Sequence, residues 1–245
     1  MNLELFIARR IAHNGSGNRP GVMVRIAVVA VALSVTVMIL ALAVIMGFKR
    51  EITDRVTGFS AQVEVADLRS AGSIESVPVL RSEQLERTIR SAGEVVRLTP
   101  YAVKGGVVKT PDAILGVMLK GVDGGYEWSF FRDHLLEGEL PRVGDSIRTK
   151  EILISRSVAR EMGLAPGDKV EMLFVESEKS PRRDRFKVSG IYATGMDEFD
   201  RSVAMTDLRN VQRLADWSSE EVSGYEVTLA DFLQAEDFSR RLNDM

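Results

Sequence analysis

From Ile26 to Phe48 the chain carries no charged residue, and its apolar positions follow no two- or four-residue rhythm: the run is hydrophobic all round. Twenty-three residues rising 1.5 Å each make a helix of about 35 Å, enough to cross a hydrocarbon core of roughly 30 Å with some tilt. A lone span in lipid must be helical, because only a helix satisfies its own backbone groups there. A signal peptide is the rival reading. Its apolar region would be about 7–15 residues, with cleavage just beyond it. The one small-x-small candidate, Ala41-Leu42-Ala43, sits inside the run with Val44, Ile45 and Met46 still to come, so a retained anchor is expected.

Past Lys49 the pattern alternates between short strands and short helices. Alternation predicts a strand over Ala61–Val65 and a helix over Ser82–Ala92, with Ser82 as its cap. Val95–Lys109 reads as a strand broken at Gly105-Gly106, and Ile114–Val122 as another. A helical piece holds Trp128, Phe130, Phe131, Leu135 and Leu136. Glu151–Ile154 is a strand, Ser157–Met162 a helix stopped by Gly163, and Pro166-Gly167-Asp168 a turn. Lys169–Val175 and Arg185–Tyr192 read as a hairpin joined by Glu176–Asp184. Val203–Thr206 and Tyr225–Leu229 are strands; Asp207–Leu214 and Leu233–Leu242 are helices.

The fold class is α+β: one N-terminal transmembrane helix, then an extracytoplasmic domain built as a split α/β lobe with a β-rich lobe inserted. The expected boundaries are 1–21 for a cytoplasmic interfacial segment, 22–57 for the span and its outer extension, and 58–245 for the domain. Within it, 58–122 and 223–245 form the α/β lobe and 123–222 the insert. A split βαβ plan needs a closing strand after the last helix, so a piece of a longer protein is expected.

Charge gives orientation. Arg9, Arg10, Arg19 and Arg25 against Glu4 precede the span, while Lys49, Arg50 and Arg55 are interleaved with Glu51 and Asp54 after it. The positive-inside rule puts the N-terminus in the cytoplasm and the large domain outside. Leu3, Phe6, Ile7 and Ile11 fall on one side of a short helix that suits the cytoplasmic leaflet. After Phe48 come 28 basic and 34 acidic residues, which is no footprint for nucleic acid.

Candidate chemistry is sparse. The absence of cysteine rules out disulfides, thiol catalysis and zinc-thiolate sites. His13 and His134 are the only histidines and lie on opposite sides of the span, so neither a triad nor a two-histidine metal site forms. Asp197, Glu198 and Asp200 cluster after Gly195, but without a Gly-centred calcium loop they read as a solvated turn. Gly105-Gly106 and Gly124-Gly125 lack the context of a phosphate loop. Trp128, Phe130 and Phe131 read as core. No catalytic set, cofactor or metal is expected. The span itself offers small residues at helical spacing, Ala27, Ala30 and Ser34, then Ala43 and Gly47, which let a second helix approach; alanine is also simply common in spans.

The segment Arg25–Glu51, ending Val44-Ile45-Met46-Gly47-Phe48-Lys49-Arg50-Glu51, resembles the first transmembrane helix of the LolC/LolE lipoprotein-releasing permeases. The resemblance continues in order through Phe59–Val65, Leu136-Glu137-Gly138-Glu139-Leu140, Glu151–Ile154, Met162–Val170, Phe186–Tyr192, Thr194–Asp200 and Val222–Val227. It covers nearly the whole chain, and the wider MacB-like permeases share part of the pattern. It implies a non-catalytic ABC-transporter permease of the bacterial inner membrane, with a MacB-like periplasmic core domain after its first span and three more spans beyond. The implied partners are a cytoplasmic ABC ATPase, a second permease subunit, a periplasmic lipoprotein carrier and the lipoprotein itself.

On that resemblance Ile39, Leu42, Val44, Ile45 and Met46, in the outer half of the span, would meet lipid. Pro181, Arg182 and Arg183 in the short loop Glu176–Asp184 would meet the carrier, although a solvated basic turn explains them equally. The alternatives are another MacB-like permease, for export or cell-wall regulation, and a single-span anchored periplasmic interaction module.

Overall fold

Helix α1 (Pro20–Phe59) is a single uninterrupted helix of 40 residues. Proline suits its first turn, where the missing N–H has no intrahelical partner to lose. The computed structural model describes residues 3, 6–7, 20–59, 61–70, 76–111, 113–144, 146–175 and 181–243, with backbone alone for 20, 49–59 and 198. The chain divides into two units, Met1–Arg55 and Val56–Met245. In the first, Gly21–Phe48 is long and apolar enough to cross a membrane, with a mean hydropathy of 3.0 and none of its side chains buried. Of the expected interfacial helix, Leu3, Phe6 and Ile7 are helical and exposed; Arg9, Arg10 and Ile11 lie outside the described residues.

The second unit is built on strands β1 (Val63–Ala66), β3 (Val95–Lys109), β4 (Ile114–Val122), β5 (Leu135–Gly138), β6 (Glu151–Ser155), β7 (Lys169–Phe174), β8 (Arg182–Tyr192), β9 (Val203–Asp207) and β11 (Gly224–Leu229). They run in the order β1-β11-β3-β4-β9-β6-β8-β5, with β7 bridging β3 and β8. The β4–β9 and β6–β8 pairs are parallel and the others antiparallel. Because β7 pairs with both β3 and β8, the strands β3-β4-β9-β6-β8-β7 form a closed ring of hydrogen-bonded neighbours. Closure of this kind removes exposed edges from the strands it includes. A separate pair, β2 (Val79–Leu80) with β10 (Glu221–Val222), completes the strands.

The helices of this unit are α2 (Glu83–Ser91), α3 (Ser129–Asp133), α4 (Arg156–Met162), α5 (Asp197–Asp200), α6 (Leu208–Ala215) and α7 (Ala235–Asn243). Their starts follow the local chemistry. Ser82, Ser155 and Asp207 cap α2, α4 and α6 by accepting the backbone N–H of Leu85, Val158 and Arg209. Gly163 ends α4 in the left-handed conformation, φ 65°.

Alternation along the strands separates two apolar clusters. Val63, Val65, Leu98, Ala102, Leu119, Ile152, Ile154, Met172, Phe186, Ala204, Tyr225 and Val227 belong to the larger one, which α2, α4, α6 and α7 join through Ile89, Val158, Val211 and Phe238. Val122, Leu153, Val203 and Met205, one position out of step with those, form the smaller one with Phe131 and with Tyr192, which the register shift in β8 carries to that side.

Three expectations change. Strand β3 runs unbroken through Gly105-Gly106. The glycine serves packing instead: a Cβ on Gly106 would stand 2.6 Å from the Phe174 ring, which lies against the backbone there. Leu135 and Leu136, placed in a helical piece by their spacing, belong to β5; α3 ends at Asp133. Finally β8 starts at Arg182, with Phe174 opposite Arg182 and Leu173 opposite Arg183. Arg182, Arg183 and Asp184 are therefore strand residues, because their ladder to β7 completes the hairpin three positions earlier than their charge suggested.

Candidate functional site

On α1, every side chain expected to contact lipid or a neighbouring helix is exposed. At about 100° per residue, Ala27, Ala30 and Ser34 fall within one narrow face, and Ala43 and Gly47 lie on the opposite side. Ile39, Leu42, Ile45 and Met46 share a face; Val44 points away from them. The hydroxyls of Ser34 and Thr36 donate to the carbonyls of Ala30 and Ala32 at 2.9 and 2.7 Å, so neither needs a partner outside the helix. From Ile26 to Phe48 the helix is thus apolar all round.

Beside the connection that closes the hairpin, Arg182 donates to the Arg213 carbonyl at 3.2 Å and to Asp216 at 2.5 Å. Arg183 lies 3.8 Å from Glu171, and Pro181 is exposed. The buried Asp184 takes Lys150 at 2.5 Å and also Arg213. Burial, then the nearby guanidinium groups of Arg213 and Arg148, pulls the Lys150 ammonium down from its ordinary value. Arg148 Nη1 is buried without a hydrogen-bond partner. Five cations, Arg148, Lys150, Arg182, Arg183 and Arg213, around three carboxylates, Glu171, Asp184 and Asp216, make this a net basic surface.

The acidic turn is only partly solvated. Asp197 is exposed, but Asp200 is buried and accepts the Thr194 N–H, the Thr194 hydroxyl and the Gly195 N–H at 2.9–3.2 Å. Its carboxylate folds the turn, and among the described residues no three His, Asp or Glu side chains converge as a metal site. Trp128, Phe130 and Phe131 pack into the smaller apolar cluster, Phe131 fully buried and edge-on to Tyr192 at 5.1 Å.

A cleft that composition and motifs did not flag opens on the face of the smaller cluster. Its volume is about 280 Å³, and its lining includes Glu64, Tyr101, Val103, Met118, Lys120, Phe199, Val203 and Glu226. Strand register builds it. Glu64 stands directly opposite Glu226, while Tyr101 and Lys120 come from β3 and β4 alongside. Lys120, only 8% exposed, bonds Glu226 at 2.5 Å and sits 5.9 and 5.8 Å from the Tyr101 and Tyr126 ring centres. Tyr101 donates its hydroxyl to Glu64. Partial burial and then the neighbouring Glu226 push the Glu64 carboxyl up, against the opposing pull of Lys120. The signal was present in the sequence: Lys120 and Glu226 are single charges inside strands that are otherwise apolar or neutral.

Residues 26–245 match the MacB-like periplasmic core domain family. The chain belongs to that family. Its resemblance to LolC/LolE permeases is borne out as well. The chain is 27% identical to the lipoprotein-releasing system transmembrane protein LolC of Xylella fastidiosa (strain 9a5c) over 212 residues, covering 82% of this chain and 48% of that protein. It is 26% identical to LolC of Neisseria meningitidis serogroup B over 201 residues, covering 78% and 45%. The chain therefore spans about half the length of the curated relatives it matches. Among solved structures, the periplasmic region of MacB from Actinobacillus actinomycetemcomitans is 14% identical at a TM-score of 0.47, covering 74% of this chain and 80% of that one. The extracellular domain of the ABC-type transporter YknZ is 15% identical at 0.45, covering 74% and 90%. The family match takes in both α1 and the second unit.

Proposed function

We propose that the chain acts within a permease subunit of an ABC transporter that extracts lipoproteins from the inner membrane and hands them to a periplasmic carrier. The observation that carries this reading is the single alignment with LolC proteins across most of the chain, within a family match that runs from the apolar helix through the second unit. The physics of the task agrees. Each buried CH₂ of an acyl chain holds a lipoprotein in the bilayer by about 0.8 kcal/mol, so removal of several chains needs an external energy source. A cytoplasmic ABC ATPase would supply it, with a second permease subunit completing the membrane part.

In this reading the N-terminus is cytoplasmic and Val56–Met245 is periplasmic. Ile39, Leu42, Ile45 and Met46 form the lipid-facing side, and Ala27, Ala30 and Ser34 the face that receives another helix. Pro181, Arg182 and Arg183, with the net basic surface beside them, are the carrier contact. The wider family equally includes permeases for export or cell-wall regulation. Depletion in the source bacterium separates the two. Lipoprotein release predicts that lipoproteins accumulate in the inner membrane and that an ATPase co-purifies with this subunit. Normal lipoprotein sorting on depletion overturns the reading.

A further inference from the structure

The cleft between Glu64, Glu226, Lys120 and Tyr101 lies apart from the residues assigned above to lipid and carrier contact, and its chemistry is specific. Cross-strand carboxylates placed directly opposite one another repel. Here one resident cation, Lys120, serves the pair and bonds Glu226 at 2.5 Å. Tyr101 gives Glu64 the side-chain hydrogen bond it receives among the described residues, which leaves carboxylate acceptor positions at the open rim of the cleft. The rest of the lining is mostly apolar, Val103, Met118, Phe199 and Val203, with Ser70 and Ser76 beside them. Met118 is 37% exposed on the same strand as Lys120.

We propose that this cleft binds a small organic cation with an apolar body, an alkylammonium in its simplest form, whose charge meets Glu64 and Glu226 and whose chain lies along Val103, Met118 and Phe199. The groups of the cleft carry two negative charges and one positive, so a cation balances the site and an anion does not. A bare calcium ion wants six to eight converging oxygens, whereas here the Lys120 ammonium already sits on Glu226 and the Tyr101 hydroxyl on Glu64. Lys120 already shows how an ammonium is held here, between a carboxylate and the faces of two tyrosine rings.

The test uses the full chain in lipid nanodiscs with ¹³C-labelled methionine methyls, titrated with n-hexylammonium. The Met118 methyl, assigned through Met118→Leu, should shift saturably. So should Met205, which pairs with Lys120 across the β4–β9 register. Affinity should fall roughly ten-fold or more in Glu64→Gln and about four-fold for each methylene removed from the probe. The neutral n-hexanol, equal in length, should bind at least ten-fold more weakly. If Glu64→Gln fails to fold, Met118→Lys at its exposed position places a second ammonium in the cleft and should abolish the Met205 shift. Absence of a saturable shift, equal binding of hexanol, or unchanged affinity in both variants overturns the proposal. The transport reading stands or falls separately, on lipoprotein localisation.

Discussion

Asp207 joins strand, helix and loop through one carboxylate. It ends β9, caps α6 through the Arg209 N–H at 2.9 Å, pairs with the Arg209 guanidinium at 2.6 Å and accepts the Gly144 N–H at 3.1 Å. Burial pushes its carboxyl up, but the Arg209 and Gly144 hydrogen bonds outweigh burial and hold it below the usual carboxylate range. An acid held below its unfolded value of about 3.9 stabilises the fold in full above that pH and loses the contribution as pH falls through the depressed value. Asp207→Asn should therefore cost about 1–3 kcal/mol near neutral pH and flatten the loss of stability below about pH 4. Urea midpoints for both proteins across that range measure it. Gly121 makes a steric case of the same kind. A Cβ there would stand 2.8 Å from the Leu208 Cα and 2.9 Å from the Val211 side chain. Gly121→Val should destabilise by roughly 1–3 kcal/mol, by forcing α6 off the sheet, and lower the thermal midpoint. The Asp207 cap on Arg209 is local, but its Gly144 bond and the approach of α6 to Gly121 are set by long-range packing and cannot be read in sequence.

At the scale of elements, the hairpin β7–β8 and the helix α1 carry the functional expectations. Arg182 sits on the surface with Asp216, and an exposed ion pair contributes only about 0–1 kcal/mol. Arg182→Ala should thus leave the unfolding midpoint nearly unchanged. If the basic loop end of the hairpin receives a carrier, the same change should weaken carrier binding by about ten-fold; equal losses in stability and binding would sink that role. In α1, Ala30→Leu should disturb helix association in the membrane, measured by cross-linking between permease subunits, whereas Val28→Leu, about 200° round the helix from Ala30, should not. Most elements were legible because local rules set them: Ser82 marks the start of α2, Gly163 the end of α4, and alternation marks β4 to the residue. The start of β8 was not. Three consecutive charged residues read as loop, and only the ladder to β7 keeps Arg182–Asp184 extended.

At the scale of the second unit, two apolar clusters lie on the two sides of strands that they share. Leu153 belongs to one and its neighbours Ile152 and Ile154 to the other. Losing either cluster removes support from the same backbone ladder, so both should unfold together. The two tryptophans report them separately, Trp128 packing in the smaller cluster and Trp217 against the larger. Single-tryptophan variants, Trp128→Phe and Trp217→Phe, should give coincident urea midpoints by fluorescence and by far-UV circular dichroism. Split midpoints would show that the clusters fold as independent units.

The sequence by itself determined the apolar helix, most strands and helix caps, the absence of thiol chemistry and the family, because each depends on composition, on spacing along the chain or on residues read in order. Only the tertiary structure decided the closed ring through β7, the strand character of Arg182 and Arg183, and the cleft of Glu64, Tyr101, Lys120 and Glu226. Those depend on which strand lies beside which. Glu64 and Glu226 are far apart in sequence and meet because β1 pairs with β11 in one register; a one-residue slip of β1 would send Glu64 to the opposite face and leave Glu226, held by the β11–β3 ladder, behind.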